Sequence, residues 1–187
     1  MKNIFLDCGA HMGESVSMFL RKVAFPETYE IHSFECNPSS IAKFKVVHAN
    51  KSNVKLHEKA VWINNLGINF YLGSSPGCSV IKSKTSGNLD KENPIFVQTI
   101  SLSEFIKENF DINDNIVLKI DIEGAEYNVL PDLIQTGAIK YIKNLFGEWH
   151  QAKIDLPIES HDKLVKNLKS NGLRMREWCA IAGTIGD

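Results

Sequence analysis

Residues 118–130 read LKIDIEGAEYNVL, and the apolar run leading into them begins at Ile116. A run such as IVLKI, with no alternation of polar residues, suits a strand covered on both faces, as in a parallel sheet. Asp121 stands where the run stops, and Glu123, Gly124 and Glu126 follow before the next apolar helical pattern. Acids at the C-terminal tip of a buried strand fall where open α/β sheets hold polar groups within reach of ligands. The stretch therefore predicts a central strand that delivers Asp121 to a crevice.

Working outward, strand and helix patterns alternate along most of the chain. Ile4, Phe5 and Leu6 form a short apolar strand ending at Asp7, and Val16, Phe19, Leu20 and Val23 then give one helical stripe. YEIHSFE (29–35) reads as a second strand, followed by Asn37-Pro38 as N-cap and first helical turn, with Asn50 as the C-terminal cap. NVKLHEKAVW (53–62) reads as a third strand, and LGINFYLG (66–73) as a hairpin-like excursion. IFVQTISL (95–102) resumes extended structure, and Ser101 with Glu104 has the spacing of a capping box. IKYIKNLFGEWH (139–150) is a further strand, His161, Leu164, Val165 and Leu168 a last helical stripe, and LRMREWCAIAG (173–183) terminal β structure. Such alternation argues for an α/β fold, a mostly parallel central sheet with helices on both faces.

The chain of 187 residues, 43% apolar, is expected to form a single domain over 1–187. A formal net charge of -1 with no basic block recommends no nucleic acid partner. Cys8, Cys36, Cys78 and Cys179 are scattered without the spacing of a zinc cage or disulfide framework. No signal peptide or membrane span is apparent, so a cytoplasmic protein with no membrane partner is expected; oligomeric state is not legible. The Ser-, Gly-, Lys- and Asn-rich segment 73–94 is expected to be a mobile substrate loop, with Lys82, Lys84 and Lys91 available to a charged glycan or phosphate.

The first strand-to-helix junction, LDCGAHMGES (6–15), places Asp7, Gly9 and Gly13 where a ligand can approach the backbone at a helix N-terminus. Glu35 follows Gly13 by 22 residues, the offset of an acid that accepts hydrogen bonds from ribose hydroxyls. A nucleoside-containing cofactor is the consequence. His11 occupies the position of the second fingerprint glycine, where a side chain obstructs a pyrophosphate, and Asp7 adds negative charge beside it. A sulfonium and an ammonium reverse that sign, so S-adenosylmethionine (SAM) is favoured over NAD.

FLDCGAHMGES, FECNPSS, VQTISLSEFI, LKIDIEGAEYNVL and EWH resemble, in order and spacing, the FkbM-type SAM-dependent methyltransferases, from about Phe5 to His150. The resemblance implies a Rossmann-like class I methyltransferase fold with a seven-stranded sheet and an antiparallel C-terminal strand. It also implies O-methylation of a hydroxyl on a saccharide, glycan or small metabolite. By position it assigns Asp7, Gly9 and Gly13 to the methionine part of SAM and Glu35 to the ribose, with Ala10, His11, Cys36 and Asn37 also at the cofactor. Ala60 and Val61, in the segment from Glu58, fall at the adenine, and Asp121 beside the methyl donor.

Methyl transfer to an alcohol needs a base within hydrogen-bond reach of the acceptor. Glu148 and His150, at i and i+2 on the expected fifth strand, share a face, and His150 titrates near neutrality. His150 is therefore the expected base, with Asp121 and Glu148 orienting it or the substrate. No metal is required by this reading, although Asp121 with Glu123, Glu148 or His150 would supply hard ligands for Mg²⁺. Glu126 is expected to serve the helix dipole. The alternatives are an NAD-dependent oxidoreductase and a non-catalytic SAM-binding module.

Overall fold

The computed structural model describes residues 1–74 and 77–178. The chain runs β1 (Asn3–Cys8), α1 (Glu14–Lys22), β2 (Tyr29–Phe34), α2 (Pro38–Val47), β3 (Val54–His57), β4 (Ala60–Trp62) and β5 (Ile68–Phe70). It continues through β6 (Ile95–Val97), β7 (Thr99–Ser101), α3 (Leu102–Asn109), β8 (Asn115–Ile120), α4 (Glu126–Gln135), β9 (Ile142–Gly147), α5 (Ile158–Ser170) and β10 (Met175–Glu177). Among the described residues, six strands form the main sheet in the order β10-β9-β8-β1-β2-β3, with every pairing parallel. From β1 the chain winds outward to β3, then returns to the other side of β1 as β8. The strand order thus reverses between β1 and β8, where such sheets open a ligand crevice.

The continuous apolar strands are covered as their composition requires. On one face Ile4, Leu6, Ile116, Leu118 and Leu145 pack with Leu102, Ile106, Val129, Leu133, Leu164 and Leu168 of α3, α4 and α5. On the other, Phe5, Ile31, Val117 and Phe146 pack with Val16, Phe19 and Phe44 of α1 and α2. Asn37 caps α2 as expected, its Oδ1 accepting from the Ser39 N–H at 3.0 Å. The helix stops at Val47, so His48 rather than Asn50 is the C-terminal cap.

Three expectations are corrected. The segment 53–62 is not one strand: Lys59 N–H turns back to the His57 carbonyl at 2.8 Å, and β4 leaves the main sheet to pair in parallel with β7. The partner of β5 is β6, antiparallel and beyond the 73–94 segment, rather than a local hairpin strand. The terminal strand β10 lies parallel to β9, so no described strand of the main sheet is antiparallel. The rest of the expected terminal β structure, residues 179–187, lies outside the described residues. No helix among the described residues is long and apolar enough to cross a membrane.

His57 stacks between His32 and Phe34, with ring centroids 5.2 and 4.7 Å away. Burial, reinforced by the neighbouring charge of His32, lowers its pKa from 6.5 to about 4. Unfolded, this imidazole takes a proton near 6.5, but folded only near 4, so the unfolded state binds more protons between those values. Stability therefore falls as pH drops through that window. The thermal midpoint is expected to decrease from pH 7 to pH 4.5, and less steeply in His57→Phe, which keeps the stack without a charge; calorimetry at both pH values checks this.

Candidate functional site

Gly9 and Gly13 are required by geometry at the end of β1. Gly9 has φ +80°, and a Cβ there would lie 1.9 Å from the Asp121 carbonyl oxygen. Only a residue without a side chain lets the loop after β1 meet the end of β8 so closely. Gly13, with φ +94°, precedes α1, and a Cβ on it would run into the His48 ring. His48 Nε2 is hydrogen-bonded to the Gly13 carbonyl at 3.0 Å, which ties the end of α2 to this loop.

Glu35 joins the first two loops. Its Oε2 accepts from His11 N–H at 2.8 Å, and its Oε1 accepts from Cys36 N–H at 2.9 Å and Asn37 N–H at 2.7 Å. Burial raises the pKa of this carboxyl, and the three amides oppose the rise. The loops it organises border a cleft of about 110 Å³. Gly9, His11, Glu35, Cys36, Asn37, Ala60, Val61 and Asp121 all line it, although they come from distant parts of the sequence.

Five predicted residues do not line this cleft. Ala10 is buried in the core against α1, and Gly13 serves the helix junction. Asp7 is 0% exposed beneath the loop, accepting from Ser15 Oγ at 2.6 Å and facing Lys119 Nζ at 3.4 Å. Its contribution is to build the loop rather than to touch what the loop holds. The strand β9 ends at Gly147, so Glu148 and His150 lie beyond it. Glu148 is 57% exposed and pairs with Lys153 Nζ at 3.1 Å.

His150 is 1% exposed and is not placed for the base role. Its Nδ1 lies 3.1 Å from Glu126 Oε1. Its Nε2 is 3.5 Å from Glu123, 3.6 Å from Glu148 and 3.8 Å from Asp121. Burial works against charge on the ring, but the Glu123 and Glu126 carboxylates outweigh it and raise the pKa to about 10. The ring is buried and does not line the cleft, so it does not reach a ligand held there. Asp121, with its side chain 35% exposed and on the cleft wall, is the acid that faces a ligand.

Two residues gain functions that sequence reasoning missed. Glu126 does more than complement the dipole of α4: fully buried, it accepts from Ile122 N–H at 2.7 Å and Gly124 N–H at 2.9 Å while holding His150. Lys84 was expected to meet an anionic substrate, yet it is 1% exposed. Its Nζ donates to the Gly77 carbonyl at 2.7 Å and the Ser86 carbonyl at 3.2 Å, and pairs with Glu123 at 3.0 Å. Burial raises the Glu123 pKa, but His150 and Lys84 override it and bring it to about 2. Ser79 Oγ also donates to the Glu123 carbonyl at 2.8 Å. The described part of the 73–94 segment is thus clamped onto the site, with Cys78, Ser79 and Val80 forming part of the cleft wall. Only the polar composition of the segment hinted at this, and a lysine in it carries no sign of burial.

A crevice built this way, at the reversal point of a parallel sheet and below a glycine turn, is the ligand site of a Rossmann-like α/β fold. Comparison with protein families agrees: the methyltransferase FkbM domain matches residues 7–175, and the chain belongs to that family of methyltransferases. Neither the curated proteins nor the solved structures compared with the chain gave a match.

Two substitutions test the construction of the site. Gly9→Ala combines an unfavourable φ with a clash against backbone, and is expected to cost at least ~2 kcal/mol, lowering the melting temperature by roughly 4–8 °C for a chain of this size. A midpoint within 1–2 °C of the native protein would contradict the close approach. Lys84→Met leaves Glu123 without its ammonium partner, and hydrogen exchange across residues 77–87 is expected to accelerate more than elsewhere in the chain.

Proposed function

We propose that the protein is a SAM-dependent O-methyltransferase acting on a hydroxyl of a saccharide, glycan or small metabolite. One observation carries this reading: residues expected at the ribose, adenine and methionine of SAM line a single cleft with Asp121. Glu35 Oε2 retains one lone pair for a ribose hydroxyl after the carboxylate accepts the three amides, and Ala60 and Val61 supply an apolar wall for a purine. The carboxylates of Glu35, Asp121 and Glu123 around the cleft favour a cofactor with a positive centre over a diphosphate. His11 stands where a dinucleotide fold needs glycine, which further disfavours NAD.

In the transfer, the acceptor oxygen forms a bond to the methyl carbon as the carbon–sulfur bond breaks in line, leaving a neutral thioether. Asp121, on this wall and beside the expected methyl donor, is assigned to take the hydroxyl proton. Holding the two reactants in line against a wall that includes Cys78, Ser79 and Val80 supplies most of what such a displacement needs. An acid on the wall supports a catalytic protein over one that only binds SAM.

Calorimetric titration separates the readings. S-adenosylhomocysteine is expected to bind with one site per chain and NADH not to bind; failure of the former removes the proposal. Glu35→Ala is expected to weaken S-adenosylhomocysteine about 10–100-fold, the loss of charged hydrogen bonds. Asp121→Asn is expected to keep that affinity while lowering transfer from labelled SAM to a panel of saccharide acceptors by about 10²–10⁴-fold.

A further inference from the structure

Behind Asp121 several side chains converge on one nitrogen. His150 Nε2 is buried and has no hydrogen-bond partner among the described residues. It nevertheless lies 3.5 Å from Glu123 Oε2, 3.6 Å from Glu148 Oε1 and 3.8 Å from Asp121 Oδ1. These separations are long for hydrogen bonds. They suit ligands that share an ion, since donors about 2.1 Å from a metal at a tetrahedral angle stand about 3.4 Å apart. The ligand atoms of Asp121, Glu123 and His150 all lie within 4.8 Å of one another.

The second observation is how the imidazole is held. Nδ1 faces Glu126 Oε1 at 3.1 Å, and Glu126 is itself locked by the amides of Ile122 and Gly124. A buried carboxylate gripping one ring nitrogen, while the other points at free carboxylate oxygens, is how proteins orient a metal-binding histidine. The charges point the same way. Among the described residues, Asp7 and Asp121 pair with Lys119, Glu123 with Lys84 and Glu148 with Lys153, while the ion-pair partner of Glu126 is His150. A cation that displaces the ring proton from Nε2 therefore meets more carboxylate than ammonium groups around it.

We propose that Asp121, Glu123 and His150 form a binding site for one divalent transition-metal cation, with Glu148 on its solvent side and Glu126 orienting the imidazole. One nitrogen beside carboxylate oxygens favours Mn²⁺, Fe²⁺ or Zn²⁺ over Mg²⁺. Lys119 lies 3.7 Å from Asp121 Oδ2 and so leaves Oδ1 to the ion. Lys84 contacts Glu123 Oε2, leaving that oxygen's second lone pair and Oε1. The partly exposed Asp121 and exposed Glu148 give the ion a path that does not require the fold to open. The site stands on this geometry and does not depend on methyl transfer.

Mn²⁺ provides the probe. The full chain, stripped with EDTA and desalted, is titrated with MnCl₂ while electron paramagnetic resonance reads the free hexaaqua ion. One ion per chain is expected to bind saturably, with Zn²⁺ displacing it and with a nitrogen coupling in the electron spin echo. Asp121→Asn, a part-exposed position, is expected to abolish binding in a protein whose circular dichroism is unchanged. Glu126→Gln is expected to weaken Mn²⁺ about 10–100-fold, and His150→Gln to lose the nitrogen coupling. Absence of saturable Mn²⁺ binding overturns the site, as does binding that Asp121→Asn leaves intact or that shows no nitrogen coupling in the native chain.

Discussion

The ammonium of Lys119 is buried between β1 and β8, and the rest of the site is hung from it. Strand register sets Lys119 beside Asp7, with Nζ 3.4 Å from Asp7 Oδ1. The same nitrogen donates to the Gly9 carbonyl at 2.7 Å and lies 3.7 Å from Asp121 Oδ2. Burial acts to strip its proton, but Asp7 and Asp121 hold its pKa above the usual lysine value. A charge so deep costs several kcal/mol to desolvate, and leaving its partner alone costs about 3–5 kcal/mol. The two strands, the glycine turn and the acid at the crevice are therefore fixed together, because none can move without exposing an unpaired charge.

That constraint sorts the acids near the crevice by environment. Asp7 is a buried counter-ion whose other oxygen anchors Ser15 at the first turn of α1. Asp121 is bound to the same cation from the open side. Glu123, in a left-handed conformation at φ 55° ahead of Gly124, is turned between His150 and Lys84. Glu126 is enclosed and holds the backbone of the turn together with the imidazole. Four carboxylates of similar intrinsic acidity thus acquire separate tasks from burial and hydrogen bonding alone.

The roof of the cleft follows from the same electrostatics. A segment that is polar and rich in glycine would ordinarily be solvated and mobile. Here one lysine in it is drawn into the interior by Glu123, and it satisfies two carbonyls of its own segment on the way. Gly87 and Gly77 pass so closely that a Cβ on either would meet the other's backbone. The segment is ordered by a charge pair and by glycine contact rather than by apolar burial, which is why its composition resembles that of a free loop.

Local signals in the sequence were sufficient for the parallel sheet, the glycine turn at Gly9, the cap at Asn37 and the positions of Glu35 and Asp121. Each rests on a periodicity or a short spacing, and such features act over a few residues. They were not sufficient to end the strand at His57, to pair β5 with β6, or to carry His150 away from β9 into a buried pocket. Those outcomes depend on partners remote in the chain, chosen by the packing of whole strands. The roles of His150, Lys84 and Glu126 belong to the same class. Whether a histidine is a base, a counter-ion or a ligand is set by the charges around it and the water excluded from it, and only the tertiary structure brings those together.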